Sequence, residues 1–388
     1  MLIVLLTVIS YFFLFSFSYF WIDPNLTLVS TNVGSELLSK FQYLGYSNRE
    51  LFSGLYLLII FLLFGIQLFF LFSKFAHKSS FKSLLTLSII VGVISTLSYP
   101  FLSHDIFSYL FHSKILWVYH QNPHFLRPDH FSFDPWFRFI HWTQQVSPYG
   151  PVWDFYTLIP AILSFKKFLL NLYFLKLFNV GFFIFIGLLI FKITNDRKVF
   201  AFWFFNPFLM MEMLVNGHND LVMIGLFVIS LYFLEKRKFT PSWFLFLGSI
   251  LSSKYLTIFL LPFLFVKKAL RNVLFNCLIF LLLGFFIFNP FNFQIQSWYY
   301  SWLFLLVPFA HFGKKDWLMI FILNVVSLVS YYPFILTGVW ETTLLSSVLK
   351  VIMILCLVSL FYLKLAFFKE VLSLISRRPL SLSKYEKS

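Results

Sequence analysis

The sequence predicts an all-α polytopic membrane protein, a bundle of about ten to twelve transmembrane helices with one large polar loop near its start. Three observations carry this prediction. The 388 residues are 60% hydrophobic and only 12% charged, with a mean hydropathy of +0.85. A soluble domain carries about 25% charged residues, so lipid is the solvent this composition fits. Apolar stretches of roughly 20 residues, long enough to cross about 30 Å of hydrocarbon, recur along the whole chain. The 59 phenylalanines suit lipid-facing positions and need no further role.

The first apolar run, Leu2–Trp21, lacks a basic leading segment and a small-residue cleavage site, so it reads as a retained span rather than a signal peptide. Further spans are predicted near 51–72, 84–102, 169–191, 199–214, 219–234, 272–290, 295–312, 317–338 and 344–366. Two segments do not fit simple crossings. Residues 152–165 are too short, and 242–266 is interrupted by Lys254. Broken hydrophobic segments of this kind line cavities, because irregular backbone cannot face lipid. One membrane domain, 1–368, accounts for the chain, and 369–388, rich in Ser, Lys and Arg, reads as a cytoplasmic tail.

The net charge of +15 is not a nucleic-acid footprint, because the cations sit in short loops between apolar runs. The clusters are Lys74/Lys78/Lys82, Lys192/Arg197/Lys198, Lys236/Arg237/Lys238, Lys267/Lys268/Arg271, Lys314/Lys315 and the basic residues from Lys364 onward. With the two irregular segments re-entering, all of them fall on one side, which the positive-inside rule makes cytoplasmic together with both termini. The loop Ser103–Tyr149, the turn Asn216–Asp220 and Lys254 then share the extracytoplasmic face. Cys277 and Cys356 lie inside apolar runs, which argues against a disulfide framework or a cysteine metal site.

Three constellations carry candidate chemistry. Asp105 follows an apolar run that ends at Phe101. A carboxylate there is partly desolvated, which suits a general base, and it equally suits a helix N-cap. Apolar residues at 106, 107, 110, 111, 115 and 118 have helical spacing, and the reading is an amphipathic helix on the membrane surface. Asn122-Pro123 ends that helix, and Tyr149-Gly150-Pro151 forms a second rigid turn. Asn216-Gly217-His218-Asn219-Asp220 is either a plain interhelical turn or a hydrogen-bonding wall, with Glu212 one turn deeper. Lys254, between two apolar halves, either snorkels or binds an anion.

Asp105-Ile106-Phe107-Ser108-Tyr109, Gln121-Asn122-Pro123-His124 and Tyr149-Gly150-Pro151 resemble the first-loop signature of the GT-C superfamily. Within it they look like the bacterial polyprenyl-phosphate-mannose-dependent mannosyltransferases, whose pattern runs D-x-Y-x-Y, N-P-Y and Y-G-P. Asn206-Pro207 and Asn216–Asp220 resemble that branch's N-P-L and N-G-H-N-D segments, and Lys254-Tyr255 its later lysine. The resemblance spans roughly residues 98–265 in order.

It implies a GT-C-like bundle and inverting transfer of a hexose, mannose by analogy. The implied donor is a polyprenyl-phosphate sugar and the implied acceptor a lipid-linked or cell-envelope glycan, met on the extracytoplasmic face. On that reading Asp105 is the catalytic base, and Lys254, Arg127, His120 and Lys114 are donor-phosphate partners. Tyr109, Asn122, His124, Tyr149, His218, Asn219 and Asp220 are substrate-binding residues. The partners implied are the lipid-phosphate donor, the glycan or glycolipid acceptor and membrane lipid, with no nucleic acid. The resemblance fixes no cofactor and leaves a divalent cation open; a single Asp stands where many GT-C members have paired acids, and His124 replaces the commoner Tyr. A secondary transporter, a non-catalytic scaffold and a different lipid-linked transferase are the competing readings, and neither an inverted repeat nor a large later loop supports them.

Overall fold

A computed structural model describes residues 2–23, 32–73, 75–254, 256–265, 268–288, 296–310, 312–339 and 344–377, and their regular structure is helical. Five helices are long and apolar enough to cross a membrane: Leu2–Trp21, Arg49–Phe72, Phe168–Thr194, Lys314–Thr337 and Leu344–Leu365. The pair Arg197–Phe204 and Pro207–Val215 passes the same test together, bent by 41° at the break as in a broken span or a re-entrant loop. The bend has a sequence cause. Pro207 cannot continue the preceding helix, and Asn206 starts the next one by accepting from Phe208 N at 2.9 Å and Leu209 N at 3.3 Å. Residues Met210–Val215 then form a π-helical turn, a local widening and underwinding that carries Glu212.

The remaining apolar segments are shorter: Phe81–Leu97, Pro151–Leu163, Phe239–Ile250 and Val273–Phe288. The interruption predicted at Lys254 is present, because Phe239–Ile250 stops and the chain resumes as the tighter 3₁₀ segment Leu256–Leu264. The span predicted near 295–312 is corrected. Its described part is a chain of short turns, Ser297–Tyr300, Ser301–Leu306 and Val307–Phe309, interrupted by Pro308 and buried from Ser301 to Phe309. Of the predicted tail, Leu344–Arg377 is continuous helix through its first part, and 378–388 lies outside the described residues. Lys74, Tyr255 and Lys267 also lie outside them.

The polar loop opens with the predicted helix, Asp105–Trp117. Where one apolar and one polar face were expected, every residue from Ile106 to Ile115 is buried within the protein. The helix packs on Pro151–Leu163 and Phe168–Thr194, and the aromatic-rich segment after it folds back as a cover. Lys114 Nζ is fixed 2.6 Å from Asp134 and lies over the Trp136 ring at 4.0 Å, while Tyr119 Oη donates to the same carboxylate at 2.5 Å. Amphipathic spacing reported that the segment is helical; the cover supplied a second apolar partner for its other face.

Candidate active site

Asp105 is the first residue of the loop helix, and His104 occupies the cap position. Its carboxylate is therefore not the N-cap, which removes that alternative, and its side chain stays 28% exposed at a cleft. Ser108, Tyr109 and His112 follow on the same helical face, at the i+3, i+4 and i+7 spacing. Together with Tyr149, Lys254, Trp298 and Tyr299 they line a cavity of about 300 Å³. Tyr109 is locked edge-on between Tyr149 and Trp153, with ring centroids 5.2 and 5.0 Å away.

The Tyr149-Gly150-Pro151 turn joins this wall to the segment that carries Lys254. Gly150 N donates to Ser252 O at 3.1 Å, and Val152 N donates to Leu251 O at 3.1 Å. A Cβ at Gly150 would lie 2.1 Å from the Leu251 carbonyl oxygen, so backbone meets backbone only because the residue is glycine. Lys254 then reaches Asp220, with Nζ 2.9 Å from Oδ1 and 3.1 Å from Oδ2. Trp302 Nε1 donates to the same Asp220 Oδ1 at 2.7 Å, and the ammonium sits 5.2 Å from the Tyr299 ring.

The turn Asn216–Asn219 closes the floor. Gly217 has φ +76°, a left-handed conformation that glycine adopts without strain, and a Cβ there would meet Ile106 Cδ1 at 2.6 Å. This tight passage sets His218 between two carboxylates. Its Nδ1 lies 3.7 Å from Asp105 Oδ2 and its Nε2 3.2 Å from Glu212 Oε2, and the ring stacks on Trp298. The Glu212 contact is off the ring N–H direction, so it is a charge contact rather than an aligned hydrogen bond. Burial disfavours the imidazolium, but the Glu212 contact and the charges of Glu212, Asp105 and Asp220 outweigh it and raise the His218 pKa. Glu212 is also held by Asn216 Nδ2 at 3.1 Å and Tyr331 Oη at 2.7 Å.

The residues expected at the site divide cleanly. Asp105, Tyr109, Tyr149, His218, Asp220 and Lys254 converge, and Asn219 is buried beside them with both side-chain polar atoms unpartnered. Lys114 is not among the residues lining this cavity, and its ion pair with Asp134 staples the loop. Arg127 pairs with Asp129 at 3.1 Å on the outer surface, and His120 is an exposed left-handed residue that ends the helix. Asn122 is exposed and accepts from His124 N at 2.9 Å. His124 Nε2 lies 2.6 Å from Asp154, so it pins the loop to the helix Pro151–Leu163 instead of lining the cleft.

His112 was not among the expected residues. It is 5% exposed, neither ring nitrogen has a hydrogen-bond partner, and burial with the nearby His124 lowers its pKa to about 4. Its signal was available, since it lies seven residues after Asp105, two turns along one helix face. Among the described residues the grouping with metal-ligand composition is Asp23, His104 and His141, beside Asp105 and outside this cavity.

Fold and site together define a polytopic helical membrane protein with one carboxylate and one ammonium facing an aromatic cleft at the helix ends. The profile of the alpha-(1->6)-mannopyranosyltransferase family, N-terminal domain, matches residues 24–269, and the chain belongs to that family of mannosyltransferases. The matched range contains Asp105, Tyr149, His218, Asp220 and Lys254, and ends before Trp298 and Tyr299. No curated protein and no solved structure matches the chain.

Proposed function

We propose that the protein transfers mannose, with inversion, from a polyprenyl-phosphate carrier to a hydroxyl of a lipid-linked or cell-envelope glycan on the extracytoplasmic face. The observation that supports this most directly is the pairing across one cleft of a half-open carboxylate, Asp105, with a cation, Lys254. A glycosidase needs a second carboxyl group because its leaving alcohol must be protonated. A sugar phosphate leaves as an anion and needs positive charge instead.

The acceptor oxygen attacks the anomeric carbon as its proton passes to the Asp105 carboxylate, and the bond from that carbon to the phosphate oxygen breaks. The departing phosphate takes the bonding pair. Lys254 has three N–H groups, two of them directed at Asp220, and the third serves the phosphate. Tyr109, Tyr149, Trp298 and Tyr299 supply aromatic walls for the sugar, and His112 offers unpaired ring nitrogens to its hydroxyls.

The test is transfer by the purified protein from polyprenyl-phosphate mannose, comparing Asp105→Asn with the wild type. A fall of at least about 100-fold in kcat with intact folding is expected for loss of a general base. Unchanged transfer would overturn the role of Asp105, and transfer from another polyprenyl-phosphate sugar but not from mannose would overturn the donor.

A further inference from the structure

We infer that Asp23, His104 and His141 form a binding site for one divalent transition-metal ion of the zinc type, at the outer edge of the cleft. The three residues come from distant parts of the sequence. Asp23 follows the first membrane helix, His104 precedes Asp105, and His141 lies late in the loop. Asp23 is positioned by its own backbone, whose N–H donates to Tyr99 Oη at 3.2 Å and whose carbonyl accepts from Gln42 at 3.3 Å.

The distances between the three ligand atoms suit an ion held among them. His104 Nε2 and His141 Nε2 each stand 3.8 Å from Asp23 Oδ2, beyond hydrogen-bond range, and the three ligand atoms all lie within 4.8 Å of one another. Two ligands of one tetrahedral zinc, each about 2.0–2.1 Å from it, stand roughly 3.4 Å apart. Closing each of the two imidazole–carboxylate gaps from 3.8 Å to that spacing takes shifts of less than about half an ångström. The imidazole rings, centroids 4.3 Å apart and inclined at 53°, present the same nitrogen toward the carboxylate.

The donor set also selects the metal. Two imidazoles and one carboxylate suit zinc and its neighbours in the transition series, whereas magnesium and calcium want oxygen throughout. Three protein ligands leave a fourth position for water or a ligand oxygen. The ion would tie the end of the first span, the residue before Asp105 and the loop cover into one unit. This site stands apart from the donor and sugar assigned above.

The experiment is zinc binding to the full-length, chelator-stripped protein in detergent, read by competition with a chromogenic chelator. The wild type is expected to bind one equivalent. His141→Ala, with His141→Gln and Asp23→Asn as second variants, is expected to bind at least about tenfold more weakly, since losing one of three ligands removes a first-coordination bond. A zinc-dependent rise in melting temperature in the wild type, absent from variants whose metal-free melting is unchanged, separates ligation from folding. Equal zinc affinity in the wild type and these variants, or preference for magnesium over zinc, overturns the inference.

Discussion

Removing both charges of the Asp220–Lys254 pair should cost clearly less than the two single removals added together. Asp220 is fully buried and Lys254 is 24% exposed, with the ammonium chelated by both carboxylate oxygens. Breaking a buried pair by deleting one partner costs about 3–5 kcal/mol, because the other charge stays desolvated without compensation. The exposure of Lys254 places Asp220→Asn at the lower end, about 3 kcal/mol, since water reaches the orphaned ammonium. Lys254→Met leaves a fully buried carboxylate with only the Trp302 N–H and the His218 charge near it, so about 3–4 kcal/mol is expected. The double variant removes both charges and keeps the volume, so it should lose at least about 2 kcal/mol less than the two single losses added together. Equilibrium unfolding of the four proteins in mixed micelles measures this, and transfer assays on the same samples should show all three variants impaired. Additive single effects would refute the argument, because they would mean that neither residue senses the other's charge.

Two other perturbations test the frame around the site. Gly217→Ala puts a Cβ at φ +76° and 2.6 Å from Ile106 Cδ1, so about 1–2 kcal/mol of stability should be lost, and Ile106→Val should restore part of it by removing the clashing methyl; unfolding midpoints that do not respond to the second change would count against the contact. The His112 pKa is depressed to about 4 in the fold from an ordinary 6.5, so the unfolded chain takes the proton first. Stability is then unaffected above pH 6.5 and falls as pH drops toward 4, by up to about 3 kcal/mol for this group alone. Unfolding profiles against pH should be flatter by that amount in His112→Gln, and superimposable profiles would show that the ring is not desolvated.

How much of this was legible in the sequence depends on whether the decisive physics was local. The helical character of Asp105–Trp117 and the break at Lys254 follow from periodicity and backbone chemistry within a few residues, and both are present, whereas the bend at Asn206-Pro207 falls inside the single span expected near 199–214. The burial of the loop helix was not legible, because it depends on a cover whose staples, Lys114–Asp134 and His124–Asp154, join residues 20 and 30 positions apart. The same staples explain why Lys114 and His124 looked like ligand contacts. A cation or imidazole in a polar loop reads alike whether its partner is a substrate or a carboxylate further along. Trp298 and Tyr299 were hidden for the opposite reason: inside an apolar run, an aromatic residue that lines a cleft has the same signature as one that faces lipid.

Three carboxylates meet around His218, and their partners explain why only one of them is suited to take a proton. Asp220 is matched by Lys254 and Trp302. Glu212 has its oxygens occupied by Tyr331 and Asn216, and lies closer to His218, at 3.2 Å, than Asp105 does at 3.7 Å. The charges of Glu212, Asp105 and Asp220 raise the His218 pKa and so favour its imidazolium beside them. Of the three, Asp105 has its side chain open to the cleft, where the other two carboxylates are sealed. Buried ionisable groups are expensive in a membrane protein, and this arrangement satisfies two of them completely while keeping the third within reach of the acceptor. Replacing Asp105 with a neutral residue leaves the Asp220–Lys254 pair and the hydrogen bonds of Glu212 to Asn216 and Tyr331 in place, which is why its variant can lose chemistry without losing the fold.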